Sequence, residues 1–247
     1  HSHHSFELLN HFSRTLQDIN ETSSSLIAVI LPLFQKLISH FVVSHRNYVA
    51  KSLVKVIIPL IKHPNFQVFY TQFATLIQSA NDAFINLRKS VAFNMIRYFP
   101  ATNVKKQVVF LSMIFQYMND LNSRDFSKNE KIHTKLIWLI TNSIQSPSIF
   151  LSQVALRFFS QRITNQLFIS NSKSNYKKLL ESVIYCHRQH WAPSIQKESS
   201  LALSLLRKIN TNWYDELSSN KFQPQERLPV NPNQCQGNSP LYKAHSF

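Results

Sequence analysis

Glycine is all but missing: of 247 residues only Gly237 lacks a side chain, and it lies near the C-terminal end. Dinucleotide fingerprints, phosphate-cradling loops and glycine-rich kinase loops need backbone positions that other residues serve poorly. Nucleotide-dependent enzymes of those kinds are excluded. Tight two-residue hairpins draw on Asn-Gly and Asp-Gly pairs, which argues against a β-rich domain. Residues that are 44% hydrophobic and 12% aromatic are enough for a buried core. An all-α fold remains.

Helical periodicity runs from about residue 5 to 217. Val104, Val108, Leu111, Phe115 and Met118 step by 4, 3, 4 and 3 and form one seam, and Ala202, Leu206, Ile209 and Trp213 repeat those steps. Further helices are expected over Leu26–Val43, Tyr48–Lys62, Phe66–Ser79, Ala83–Tyr98, Glu130–Ile144, Ile149–Ile163 and Asn175–Cys186, joined by short polar breaks. Pro59, Pro100, Pro147 and Pro193 lie 41, 47 and 46 residues apart, each expected where a helix ends or the next begins. Two helices per 40 to 47 residues is the spacing of HEAT or armadillo repeats. The expected architecture is a HEAT-like α-solenoid over 1–217, with N-terminal repeats missing or truncated and an extended, Pro- and Asn-rich tail over 218–247.

Catalytic and metal constellations are weak. Cys186, His187 and His190 suggest a nucleophile with a base, or part of a zinc site, but the one other cysteine is Cys235 in the tail. A buried thiol at a helix end is the plainer reading. His1, His3 and His4 read as a frayed terminus rather than a metal site. No cofactor is implied. Two cysteines and no secretory leader fit a reducing, intracellular setting, cytoplasm or nucleus, and the start at His1 points to sequence upstream. Gln35, Lys36, Ser39 and His40 put a polar stripe on the most apolar helix, which argues against a membrane span.

The balance is basic, with 27 Lys+Arg against 12 Asp+Glu and a net +15. From Leu26 to Ala80 there are Lys36, Arg46, Lys51, Lys55, Lys62, His40, His45 and His63 and no carboxylate. If these converge, they form a strip attractive to anions; if not, they are a solvated face. No nucleic-acid recognition motif accompanies them, so RNA or anionic lipid stands as the alternative partner.

Four segments resemble a known family, the B-prime class of regulatory subunits of protein phosphatase 2A, in its C-terminal part. Leu53-Val54-Lys55-Val56-Ile57-Ile58-Pro59-Leu60 is similar to the family's "LLKVLLPL" helix. Arg97-Tyr98-Phe99-Pro100, followed by Lys106-Gln107-Val108-Val109-Phe110-Leu111, resembles "KYWPKT…KEVMFL". Gln145-Ser146-Pro147, opening a helix with Val154-Ala155-Leu156-Arg157-Phe158-Phe159, resembles "SSPHFQVAERALYYW". Gln189-His190-Trp191 with Ile195, and Trp213-Tyr214-Asp215-Glu216-Leu217 beyond it, resemble "THWNKTI" and "LFDE".

The resemblance implies a non-catalytic subunit that joins scaffold and catalytic subunits and holds phosphoprotein substrates by short motifs of the form L-x-x-I-x-E. Leu33 and Leu37 match the apolar pocket positions for such a motif. One helical turn apart, they would share a single aliphatic anchor, or else serve ordinary packing between repeats. Pro32 replaces a family glutamate and Val49 a pocket histidine, and each lost charge-assisted contact removes about 1.5–3 kcal/mol. Because solenoid turns are accessible, Lys105 and Lys106 after Pro100, and His190 with Trp191 before Pro193, are the expected partner contacts. Trp191 also suits a wedge between two helices.

Overall fold

The computed structural model describes residues 23–41, 49–50, 52–81, 84, 87–118, 130–160 and 172–219, with separate positions 7, 11 and 14–16. No strand occurs among them. The helices are α1 (Ser24–Phe41), α2 (Phe66–Asn81), α3 (Leu87–Arg97), α4 (Val104–Met118), α5 (Glu130–Ile144), α6 (Ile149–Leu156), α7 (Lys173–Gln189), α8 (Pro193–Ile209) and α9 (Thr211–Ser219). Between α1 and α2 the chain winds as a π-type stretch, Leu53–Ile57, that tightens into a 3-10 stretch, Ile58–Lys62.

Two layers result. The 53–62 segment, α3, α5 and α7 pack side by side in chain order, and α1, α2, α4, α6 and α8 do the same in the second layer. Within a repeat the layers meet as hairpins, α3 on α4, α5 on α6 and α7 on α8, while α9 closes over α8 and α7. This is the all-α, HEAT-like solenoid that the repeat spacing predicts.

The core runs unbroken between the layers. Phe66 is fully buried within it, edge-on to Phe69, Phe73 and Phe110 at 5.3, 5.1 and 5.4 Å. Phe66 and Phe73 share a face of α2 while Phe110 comes from α4, so the ring cluster stitches successive repeats together. In the α4 seam, Leu111, Phe115 and Met118 are buried and Val104, near the turn, is exposed.

Local chemistry sets the helix ends. Asn103 Oδ1 accepts the Lys106 N–H at 3.0 Å and starts α4, and Ser172 does the same for α7 through the Asn175 N–H. Pro193 occupies the first turn of α8, where a missing N–H costs nothing, and Ala192 before it is extended.

Three boundaries depart most from the periodic reading. The helix expected over Ile149–Ile163 ends as α6 at Leu156 and tightens into a 3-10 stretch, Arg157–Ser160, which buries Phe158 and Phe159. Pro59 lies inside the 53–62 segment: with no N–H to give, it sits where the Ile58 N–H reaches back to Leu53 O and the winding changes. The break comes at His63-Pro64-Asn65, so Pro64 is the counterpart of Pro100, Pro147 and Pro193. The Ala202–Trp213 seam spans two helices, because extended Asn210 ends α8 and its Oδ1 caps α9 through the Trp213 N–H at 3.0 Å.

No described helix is long and apolar enough to cross a membrane. The tail from residue 220 onward lies outside the described residues, as do His1, His3, His4, His45, Arg46, Lys51 and Cys235.

Candidate functional site

The four turns that close the hairpins, at 63–65, 98–103, 145–148 and 190–192, each join the first layer to the second and so share one edge of the solenoid. Donors from a following repeat reach the carbonyls at three of them. Lys106 Nζ donates to His63 O at 2.6 Å and to Lys62 O at 3.4 Å. Lys135 Nζ donates to Arg97 O at 2.7 Å. Trp191 Nε1 donates to Pro147 O at 3.0 Å. Terminal carbonyls of a helix carry partial negative charge and lack intrahelical partners, so cations and N–H donors are what they require.

Lys106 does not stand at the accessible edge. It is 6% exposed, its ammonium lies 5.3 Å from the centre of the Phe110 ring, and burial pushes it down from 10.5 to about 8. An ammonium so placed is tolerated because two carbonyls replace its water. Lys105, one residue earlier and about 100° round the helix, is exposed.

His190 is buried as well. Its Nδ1 accepts the Ala192 N–H at 3.1 Å, which puts the ring proton on Nε2, an atom with no hydrogen-bond partner among the described residues. His63 repeats the arrangement, its Nδ1 accepting the Asn65 N–H at 3.1 Å. Trp191 is the accessible member of its pair, 68% exposed and stacked on His190 at 5.9 Å. Its indole spans from one turn to the previous one rather than wedging helices apart.

On α1, Leu33 is exposed and Leu37 half-buried, one turn apart on a helix that packs against α2. Val49, at the position of the family's pocket histidine, is fully buried and belongs to the core. The expected cationic strip divides: Lys36 is exposed on α1 in one layer, Lys55 and Lys62 are exposed in the other, and His63 is buried.

Cys186 is buried, which pushes its thiol up and away from the nucleophilic form. The His187 ring nitrogen Nδ1 lies 3.1 Å from Gln196 O, so it donates there, tying α7 to α8 instead of serving the thiol. Among the described residues no cluster of His, Cys, Asp or Glu suits a metal ion. Sequence reasoning missed Lys135 and Pro147 as edge partners. The signal was available as spacing, since Lys106 and Trp191 each lie 44 residues beyond the acceptors Lys62 and Pro147.

The turn motifs that build this edge are those that carry the resemblance, and comparison with known proteins agrees. The profile of the protein phosphatase 2A regulatory B subunit, B56 family, matches residues 5–234. The chain belongs to the B56 family. It is 22% identical over 201 residues to the 56 kDa regulatory subunit beta isoform of Oryctolagus cuniculus, covering 81% of this chain and 40% of that protein. With the delta 1 isoform of Schizosaccharomyces pombe it is 26% identical, over 78% of this chain and 35% of the relative. For the human alpha isoform the identity is 23%, over 81% and 41%. This B56 chain therefore spans well under half the length of the relatives it matches.

Proposed function

We propose that this B56 chain acts as part of a non-catalytic regulatory subunit of protein phosphatase 2A, working inside the cell in cytoplasm or nucleus. It docks to the scaffold and catalytic subunits and presents phosphoprotein substrates to them. The family match across residues 5–234 carries this reading. A stack of repeats locked turn to turn is rigid enough to hold a substrate at a set distance from a catalytic centre, which raises the substrate's effective concentration without new chemistry.

Lys105 and Trp191 would meet partner subunits at the edge, with Lys106 and His190 holding those turns from within. Leu33 and Leu37 would take the aliphatic anchor of a substrate motif.

The test is to mix the chain with purified scaffold and catalytic subunits and follow them by gel filtration. Co-elution of all three is expected. Separate elution of this chain at micromolar concentrations would overturn the proposal. Lys105→Glu should reduce co-elution while leaving helix content unchanged, and unaltered assembly would remove Lys105 from the contact.

A further inference from the structure

Two open hollows flank the outer face of α5. One, of about 810 Å³, lies between α5 and the turns at 98–103 and 145–148, with Phe99, Pro100, Leu139 and Asn142 in its walls. The second, of about 500 Å³, is lined by Glu130, Lys131, Thr134, Lys135 and Trp138. Lys135 and Trp138 line both, so the hollows form one trough.

Its wall is a single stripe of α5. Lys131, Lys135, Trp138 and Asn142 step by 4, 3 and 4 and share a face. Between them they supply three kinds of contact. Lys131 is exposed, and the ammonium of Lys135 is anchored on Arg97 O. Trp138 leaves a large ring 58% exposed where the core has no use for it. The Asn142 side chain has no hydrogen-bond partner among the described residues, so its amide offers both a donor and an acceptor, the pair that a peptide backbone matches.

The geometry points to this trough as a docking site for an extended acidic protein segment: an apolar side chain against Trp138, backbone on Asn142, and carboxylates or phosphoryl groups toward Lys131 and Lys135. Charge complementarity selects the occupant, because among the described residues that line the trough two ammonium groups face one carboxylate, Glu130, in a chain of net +15. A single-stranded nucleic acid fits less well. It would need successive stacking platforms, and beside Trp138 the walls are Phe99, Pro100 and Leu139 rather than a row of open rings. The 15 residues of α5 rise over about 22 Å, the span of about seven extended residues. The inference deepens the regulatory-subunit reading by naming the class of segment recruited. Its test omits the phosphatase, so the two can fail separately.

The experiment titrates the full chain into a fluorescein-labelled peptide of about seven residues alternating Glu and Leu, followed by fluorescence anisotropy. Binding that weakens with added salt is expected. Lys131→Glu, Trp138→Ala and Asn142→Ala should each weaken it by about tenfold. Lys197→Glu, an exposed change in the other layer, should stay within about twofold. All four positions face solvent or are half-buried, and unchanged circular dichroism melts would confirm that folding is not what was lost. The proposal is overturned by no binding of the peptide, by equal binding of a peptide with Lys for Glu, by tighter binding of an oligouridylate of matching charge, or by Lys197→Glu being as damaging as Lys131→Glu.

Discussion

The turns at 63–65 and 190–192 share one plan and are locked by opposite means. In each, a buried histidine closes the end of a helix, accepts the backbone N–H two residues on through Nδ1, and is followed closely by proline. At the first, the next repeat sends in a buried ammonium, Lys106, against the helix carbonyls. At the second, an exposed indole, Trp191, reaches back to the previous turn. The first lock lies within the core and serves stability; the second lies in solvent and leaves an aromatic face available to a partner. A solenoid can thus keep one backbone plan at successive turns and assign them different work by where the locking side chain sits.

The largest effect is expected at the first junction. Phe66→Ala removes a ring that meets Phe69, Phe73 and Phe110, and urea unfolding should show a loss of about 3–5 kcal/mol. A loss below about 1 kcal/mol would mean that this junction is no tighter than the second.

Lys106→Met comes next. It keeps most of the volume but takes the side-chain donor from Lys62 O and one of two donors from His63 O, which still accepts the Phe66 N–H at 3.2 Å, and should lower stability by about 1–3 kcal/mol at neutral pH. The pH dependence sharpens the point. The folded value is about 8 and the ordinary value 10.5. Between them the unfolded chain holds a proton that the folded chain has released, so stability from this group rises with pH across that window. Wild type should therefore gain on Lys106→Met between pH 8 and pH 10.5 in paired urea melts. A difference that stays level up to about pH 10.5 would show that the carbonyls hold the ammonium charged and that burial is not the dominant influence.

At the other end of the chain, the Tyr176 hydroxyl donates to Leu206 O at 3.0 Å, at the end of α8, and burial pushes its ionisation up. Tyr176→Phe should cost about 1 kcal/mol in the same assay. The smallest change in stability is expected for Trp191→Ala, under about 1 kcal/mol, since the ring is mostly in solvent. Its effect should appear instead as weaker co-elution with scaffold and catalytic subunits. A large loss of stability with no effect on assembly would reverse the contrast drawn between the two turns.

Much of the fold was legible because helix boundaries answer to local signals. α4 and α5 run over the residues that periodicity marks, and Asn103, Ser172 and Pro193 begin their helices by rules that need no neighbour. Pro59 misled because a proline can sit at a change of winding as well as at a break. Asn210 was hidden because Ile209 and Trp213 keep the helical step across it, though the Asn-Thr-Asn run carried the capping signal.

The site was less legible. Lys105 and Lys106 are indistinguishable as letters, and only the carbonyl ends of the preceding repeat decide that one is buried and the other meets water. The trough on α5 joins a stripe to the turn at 98–103, which begins some 30 residues before it, a proximity created by stacking.

The amino-acid order by itself determined the helices, their pairing into repeats and the family, because those depend on residues within a few turns of one another. Which lysine is sunk, which tryptophan lies open and which amide is left without a partner among the described residues were decided by tertiary contact. Those outcomes depend on where one repeat places its backbone carbonyls against the side chains of the next.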